Sequence, residues 1–485
     1  MTGKPTGRSG SSAEEPSRPA RHEAAIPAAA GATADLLGKG AGLLHRAARE
    51  GVTSVRLSAY AWHRLVEGDI APAAEAAIAM GERTTGDLLD AMRGLKAPAD
   101  VARDQMDRLR AGLRYGHLVT TWGRELFGSA RFRGETVLAE HGPYRVSFIP
   151  PSDGAGRAPF AMFHGAGAIP YGDALFRLLP EANFFQHFVA AGVPLYVMEL
   201  KGDRGVADAS RVTVDSLFDA YSALTAAAFE HCGREKLVLE GYCGHGTQAL
   251  AWVSARPAEA DERFKGLALF VSPVDGRECE LVGGLSRVTN DSLNDAMLLA
   301  SEAAGGYVSG VGMQTGLDLA LGSLFVKTPF GRFSAGWGQP KWAEPKSPAD
   351  LTPDQRRELV GAWWVSPENA DRYPISTGLV RFENAVFKKG VSANGDLPWS
   401  SAGSTLSLRD VARRTSLRVA GIFGGRDVVV PDRTAYVLKT LLGDRYRHVV
   451  HPNAAHVSYI FMPAQWDRSS PWRFDPSPLD VIASI

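Results

Sequence analysis

Cysteine is scarce in this chain: Cys232, Cys243 and Cys279 are the three in 485 residues. So few thiols build no disulfide framework and show no metal-type spacing, and they suit a reducing compartment. An excess of one charge is missing as well. Lys plus Arg and Asp plus Glu number 53 each. That balance gives no support to nucleic-acid binding or to general attraction to a membrane surface. No uncharged apolar run is long enough to span a bilayer, so no transmembrane segment is expected. No apolar stretch follows the first basic residues, as a signal peptide would require. The expectation is a cytoplasmic protein. What is present is ordinary globular material. The apolar fraction is 45%, and the length allows a large domain with insertions or two to three domains.

Residues 1–33 are rich in Gly, Ser, Pro, Ala and charge, and are expected to be a disordered tail. Residues 34–130 read as an N-terminal helical region. Leu36, Leu37, Leu43 and Leu44 begin an apolar pattern, and Val101, Met106, Leu109, Leu113, Leu118, Val119 and Trp122 continue it at spacings near three, four and seven. Tyr60, Trp62, Tyr115 and Trp122 are expected in the core. Next, 136–138 and 144–149 flank a turn and predict an antiparallel hairpin. Strands at 160–163, 194–200, 236–241 and 267–271 then alternate with helices at 183–191, 214–232 and 247–255. Such alternation implies a parallel sheet with right-handed crossovers. The rhythm stops after Asp275. Residues 276–412 are too long for a loop and must carry structure of their own. It resumes with a strand at 417–423, a helix at 434–442 and a strand at 446–451. The division expected is a sheet-bearing core at 131–275 and 413–485, with 276–412 inserted as a cap or as a packing subdomain.

The stretch Leu237-Val238-Leu239-Glu240-Gly241-Tyr242-Cys243-Gly244-His245-Gly246-Thr247 organises the rest. An apolar strand runs into a Gly-flanked turn and then a helix, with Cys243 at the apex. This is the layout of a nucleophile elbow of the α/β-hydrolase kind, with Cys in place of Ser. A helix N-terminus beneath Cys243 favours thiolate, and its free N–H groups can hold an oxyanion. One position departs from the usual elbow: His245 stands where a glycine is expected, and Gly follows only at 246. Three groups then fall at the C-terminal ends of predicted strands, namely Cys243, Asp427 and His456, in the chain order of that fold. His456 would act as general base and Asp427 would orient it. Gly244, with Gly165 or Ala166 from the loop after the first parallel strand, would form the oxyanion hole. His164 and His245 are expected to line the substrate pocket. Asp275 is an alternative acid. Asp432 lies past Pro431 and is expected to start a helix. His451, Cys232 and Cys279 read as structural.

These motifs resemble those of the polyhydroxyalkanoate synthases, acyltransferases of the α/β-hydrolase fold. That family carries a box of the form Gly-aromatic-Cys-x-Gly-Gly-Thr, and Gly241 to Thr247 match all but one position. Its acid lies in an Asp-x-(Ile/Val)-x-Pro context, matched by Asp427 to Pro431. Its His follows a Gly, where this chain has Ala455-His456. Its strand after the elbow ends Thr-Pro-Val-Asp, close to Ser272-Pro273-Val274-Asp275. The resemblance covers roughly 145 to 465. It implies that Cys243 accepts a 3-hydroxyacyl group from coenzyme A as a thioester, and that the hydroxyl of a second unit attacks it to extend a polyester. Acyl-coenzyme A is then a substrate, and no resident cofactor or metal is expected. Lys201, Arg204, Lys388 and Lys389 are available for its phosphates. The family works as dimers, often with a partner subunit or on polyester granules.

Two rivals stand beside this reading. One is a hydrolase with the same Cys243, His456 and Asp427, cleaving an ester or thioester. The run His164-Gly165-Ala166-Gly167 resembles an esterase oxyanion loop and keeps it open. The other is a non-catalytic granule-associated scaffold that retains the fold.

Overall fold

The computed structural model describes residues 69–156, 158–167, 172–201, 212–279, 291–303, 305–308, 328–364, 366 and 374–485. The expected tail, the first part of the helical region with Tyr60 and Trp62, and Arg204 lie outside them. The chain opens on two helices, α1 (Ala71–Met92) and α2 (Pro98–Leu118). A hairpin of β1 (Thr136–His141) and β2 (Tyr144–Ile149) follows. Then come β3 (Met162–His164), α3 (Phe184–Ala190), β4 (Leu195–Leu200), α4 (Val214–His231) and β5 (Leu237–Tyr242). After them lie α5 (Gly244–Ala255), α6 (Pro257–Arg263) and β6 (Phe264–Phe270).

Between β6 and the next core strand lie α7 (Asp291–Ala303), β7 (Tyr307–Val308), α8 (Pro329–Trp337), α9 (Pro353–Trp364) and β8 (Ile375–Ser376). They are followed by α10 (Thr377–Lys389), β9 (Asp396–Ser401), β10 (Ser404–Ser407) and α11 (Leu408–Arg414). The core closes with β11 (Arg418–Gly424), α12 (Tyr436–Leu442), β12 (Tyr446–His451) and α13 (Pro478–Ala483).

Eight strands form one sheet in the order β1-β2-β4-β3-β5-β6-β11-β12. β1 and β2 are antiparallel, β2 pairs antiparallel with β4, and β4 through β12 run parallel. This is the α/β-hydrolase fold: an antiparallel edge, a swapped β4-β3 pair and parallel strands carrying crossover helices on both faces. The strands read as they do because a parallel sheet is covered on both sides. In β5 the two faces alternate. Leu237 and Leu239 join one core with Phe218, Leu224 and Trp252, while Val238 and Tyr242 join the other with Phe184, Phe188 and Phe270. Burying each of these large side chains contributes about 2 kcal/mol.

Helix capping follows the sequence. Thr213 and Ser216 form a capping box on α4, and Asn183 accepts the Gln186 N–H at the start of α3. Three readings are corrected. The elbow helix begins at Gly244 rather than Thr247, because Cys243 itself is the residue that turns the chain. Residues 257–263, unassigned from sequence, form α6 behind Pro257 at its first turn. Met106, Leu109 and Leu113 of the apolar pattern face solvent at 48%, 41% and 66% exposure. The buried side of α2 is Val101, Ala111, Gly112, Tyr115 and Leu118, of which Val101 and Leu118 belong to the expected pattern. It packs on α8 at close range: a Cβ at Gly336 would lie 2.4 Å from the Tyr115 Cβ and 3.1 Å from the Gly112 Cα. Among the described residues, no helix is long and apolar enough to cross a membrane.

Candidate active site

Cys243 sits at φ +50° and ψ −126°, a backbone region costly for any residue with a side chain. The surrounding contacts hold it there. Its N–H donates to the Phe270 carbonyl at 2.8 Å, and its carbonyl accepts the Gly246 N–H at 3.0 Å. The elbow closes by direct backbone contact between strand end and helix start. A Cβ at Gly241 would fall 2.4 Å from the Gly246 Cα, and a Cβ at Gly246 would fall 2.0 Å from the Ser272 Oγ. The close crossing is therefore between 241 and 246, and position 245 is free to carry a side chain. That is the physical reason the elbow tolerates His245.

The three residues picked from strand ends come together. His456 Nδ1 and Asp427 Oδ2 are 2.8 Å apart. Asp427 Oδ1 accepts the N–H groups of Val429 and Val430, each at 2.9 Å. The turn Asp427-Val428-Val429-Val430-Pro431 thus wraps its own carboxylate and aims the second oxygen at the imidazole. The Cys243 side chain lies close enough to the His456 ring to act on its charge. Burial disfavours the His456 imidazolium, but Asp427 and the Cys243 sulfur together hold its pKa well above the ordinary value of 6.5. Such a site favours the imidazolium form of His456.

Backbone geometry separates the oxyanion candidates. Gly244 is the first residue of α5, where the N–H has no helical acceptor. Gly165 is excluded as a donor, because its N–H already donates to the Glu240 carbonyl at 2.9 Å, extending the β3–β5 ladder. The remaining donor from this loop is the N–H of Ala166 or of Gly167. The Ala166 carbonyl accepts the Tyr221 hydroxyl at 2.7 Å, which fixes the peptide's orientation.

The pocket assignment of His164 is corrected. It is 1% exposed, and its Nδ1 is bonded to the Glu240 carboxylate, itself fully buried. Phe176 and Phe185 pack on its ring, with centroids at 4.4 and 5.1 Å. His245 is likewise buried, at 3% exposure. The alternatives to Asp427 are occupied. Asp275 is bound to Arg277 at 2.7 and 3.0 Å. Asp432 lies 2.9 Å from His448 Nε2 and accepts the Tyr436 hydroxyl at 2.9 Å. His451 is held by the Tyr459 hydroxyl and the Pro476 carbonyl, each at 2.8 Å. Cys232 bonds to carbonyls of Phe229 and Glu235, and Cys279 is fully buried. Of the cations considered for phosphate binding, Lys201 pairs with Glu140 at 3.0 Å, and Lys388 and Lys389 lie in the last turn of α10.

Several residues at the site were not singled out from sequence. The Tyr242 hydroxyl donates to the His456 carbonyl and so anchors the backbone of the candidate base. Gln248 donates to Glu383 of the inserted region at 2.9 Å. Glu240 had a visible signal, a lone carboxylate within an apolar strand run. Tyr242 had one as well, the aromatic position of the Gly-aromatic-Cys box, and Tyr221 had none. Among the described residues, no cluster of His, Cys, Asp and Glu could hold a metal ion.

No protein-family model and no curated protein sequence matches this chain. Solved structures do resemble it. Proline iminopeptidase of Mycobacterium smegmatis aligns at 14% identity and a TM-score of 0.37, covering 72% of this chain and 97% of its own. Carboxylesterase CesB of Bacillus subtilis aligns at 12% identity and 0.36, covering 73% and 94%. An α/β-hydrolase fold protein from Nakamurella multipartita aligns at 14% and 0.34, covering 73% and 100%.

Proposed function

We propose that this chain is a cysteine acyltransferase that takes a 3-hydroxyacyl group from coenzyme A and passes it to the hydroxyl of a growing polyester. The observation that supports it is the chain of contacts from Cys243 to His456 to Asp427, with the nucleophile at φ +50° above a helix N-terminus. Each residue has a step. The Cys243 sulfur attacks the thioester carbonyl, and the negative oxygen collects on the Gly244 N–H and a donor of the loop at 166–167. The coenzyme A thiolate departs and takes the proton from His456. The incoming hydroxyl then gives its proton to His456 as it attacks, and Cys243 is released. A Cys nucleophile suits a thioester donor, since one thioester is exchanged for another of similar energy.

The acceptor distinguishes this reading from its rival. Water in place of the hydroxyl makes the same site a thioesterase or esterase, and the loop at 164–167 is compatible with both. The test is incubation of purified protein with 3-hydroxybutyryl-coenzyme A, following free thiol release and the fate of the acyl group. Thiol release with growing polymer is the expected result. Release with only free hydroxy acid would replace the synthase reading by the hydrolase. Cys243→Ala should abolish either, by on the order of 10³-fold or more. Absence of turnover with several chain lengths and simple esters would favour the scaffold.

A further inference from the structure

We propose that Glu240, His164 and His245 act as one buried positioning unit that seats both halves of the oxyanion hole, the loop at 165–167 and the first turn of α5. The proposal rests on the acyl-transfer reading of Cys243.

The three side chains form a continuous path. His164 and Glu240 are register partners on the neighbouring parallel strands β3 and β5, and their side chains are bonded to each other. The same two residues bracket the last ladder bond, from the Gly165 N–H to the Glu240 carbonyl at 2.9 Å. Immediately beyond that bond the chain leaves the sheet as the oxyanion loop. On its other side, His164 meets His245 with ring centroids 5.6 Å apart, and Phe176 closes on both rings at 4.4 and 5.8 Å. His245 belongs to the first turn of α5, next to Gly244. It also lies beside the loop, since a Cβ at Gly167 would come within 3.3 Å of its Cδ2. One side chain therefore borders both donor-bearing segments, and the buried pair supports it from below.

Stability does not explain this arrangement. The layer around it is apolar, with Val238, Phe184 and Phe185 fully buried. Replacing both partners of a buried hydrogen-bonded pair by well-packed hydrocarbon is often neutral or stabilising. What a bonded pair supplies instead is direction: it fixes one rotamer and one strand register, where apolar contacts would permit several. Burial pushes the Glu240 carboxyl well above its ordinary value, so the pair shares a proton rather than presenting a bare anion beneath an oxyanion.

The test separates oxyanion stabilisation from nucleophile reactivity. Acylation of Cys243 by 4-nitrophenyl acetate passes through an oxyanion, whereas alkylation by iodoacetamide does not. In full-length Glu240→Leu, acylation should fall about 100-fold, while alkylation stays within about 2-fold of the original. Glu240→Gln, which keeps a hydrogen-bonding partner for His164, should recover most of the acylation rate. If Glu240→Leu does not fold, His245→Gly carries the same prediction with a loss of about 10-fold. Parallel loss of both reactions, or retention of both, overturns the positioning role. If the unaltered protein reacts with neither reagent, the acyl-transfer reading fails and the proposal falls with it.

Discussion

Two helices of this protein show how position in the fold sets burial. The helix α1 is rich in Ala and carries Ile78, Leu88, Leu89 and Met92, yet none of its residues is buried, and Ile78, Leu88 and Met92 are 59%, 54% and 83% exposed. The helix α5 carries His245, Thr247, Gln248 and Ser254, yet every residue from Gly244 to Ser254 is buried. Location in the fold decides this. α5 follows the central strand and is enclosed by the sheet and by the inserted elements α11 and β10, whereas the main contacts of α1 among the described residues are with α2 and α8. Polar side chains on α5 are tolerated because they have partners. The Thr247 hydroxyl donates to the Pro273 carbonyl at 2.9 Å, and Gln248 reaches Glu383. The elbow region therefore stores costly features, and the helix α1 stores few.

If that contrast is right, substitutions should have graded effects. The largest is expected at the triad. Asp427→Asn removes the charge that holds the His456 imidazolium, and should lower acyl transfer by about 10³-fold or more. The same change should move the titration of the His456 ring to lower pH, seen in its NMR signals, because Asp427 is one of the groups that raise it. An unmoved titration would mean that Asp427 is not the orienting acid. Next, Gly246→Val drives a side chain into Ser272 and the Gly241 carbonyl, and should cost about 3 kcal/mol or more in urea unfolding. A cost near zero would show that the elbow backbone relaxes.

Glu383 offers a smaller effect that depends on pH. Burial raises its carboxyl from 4.5 to about 8, with the Gln248 hydrogen bond opposing. The folded state therefore binds this proton more tightly than the unfolded chain. Its contribution to stability is full below pH 4.5 and is lost as pH rises towards about 8. Glu383→Gln should flatten that decline and gain about 2 kcal/mol at pH 8 relative to pH 5, read from unfolding midpoints across the range. Equal slopes for the two proteins would remove the buried-acid account. The smallest effect is expected on α1, where Met92→Ser should change stability by less than about 0.5 kcal/mol. A larger loss would reveal a covering partner for that face.

Much of the fold was legible because parallel strands buried on both faces read as short apolar runs. Strands 144–149 and 446–451 appear at the expected residues, and the other core strands differ by a few positions at their ends. The triad candidates were legible for a related reason. Chain order and strand ends place Cys243, Asp427 and His456 on one edge of the sheet, whatever the loops between them do. The oxyanion loop was not. The N–H of Gly165 is removed from contention by a bond to Glu240, a residue 75 positions further along the chain. The apolar stripe of Met106, Leu109 and Leu113 misled for the opposite reason: periodicity shows that a helix has an apolar face but not that anything covers it.

The sequence by itself determined the α/β alternation, the Gly-bounded elbow at Cys243 and the acid-then-histidine order behind it, since these follow from local periodicity and turn chemistry. Only the tertiary structure decided that Gly246, not residue 245, makes the close crossing with Gly241. It alone decided that His164 and His245 lie inside the protein and that Tyr242 anchors the backbone of His456. These outcomes depend on contacts between residues distant in the chain or across the elbow, where van der Waals fit and the satisfaction of buried polar groups choose among arrangements that local pattern leaves equal.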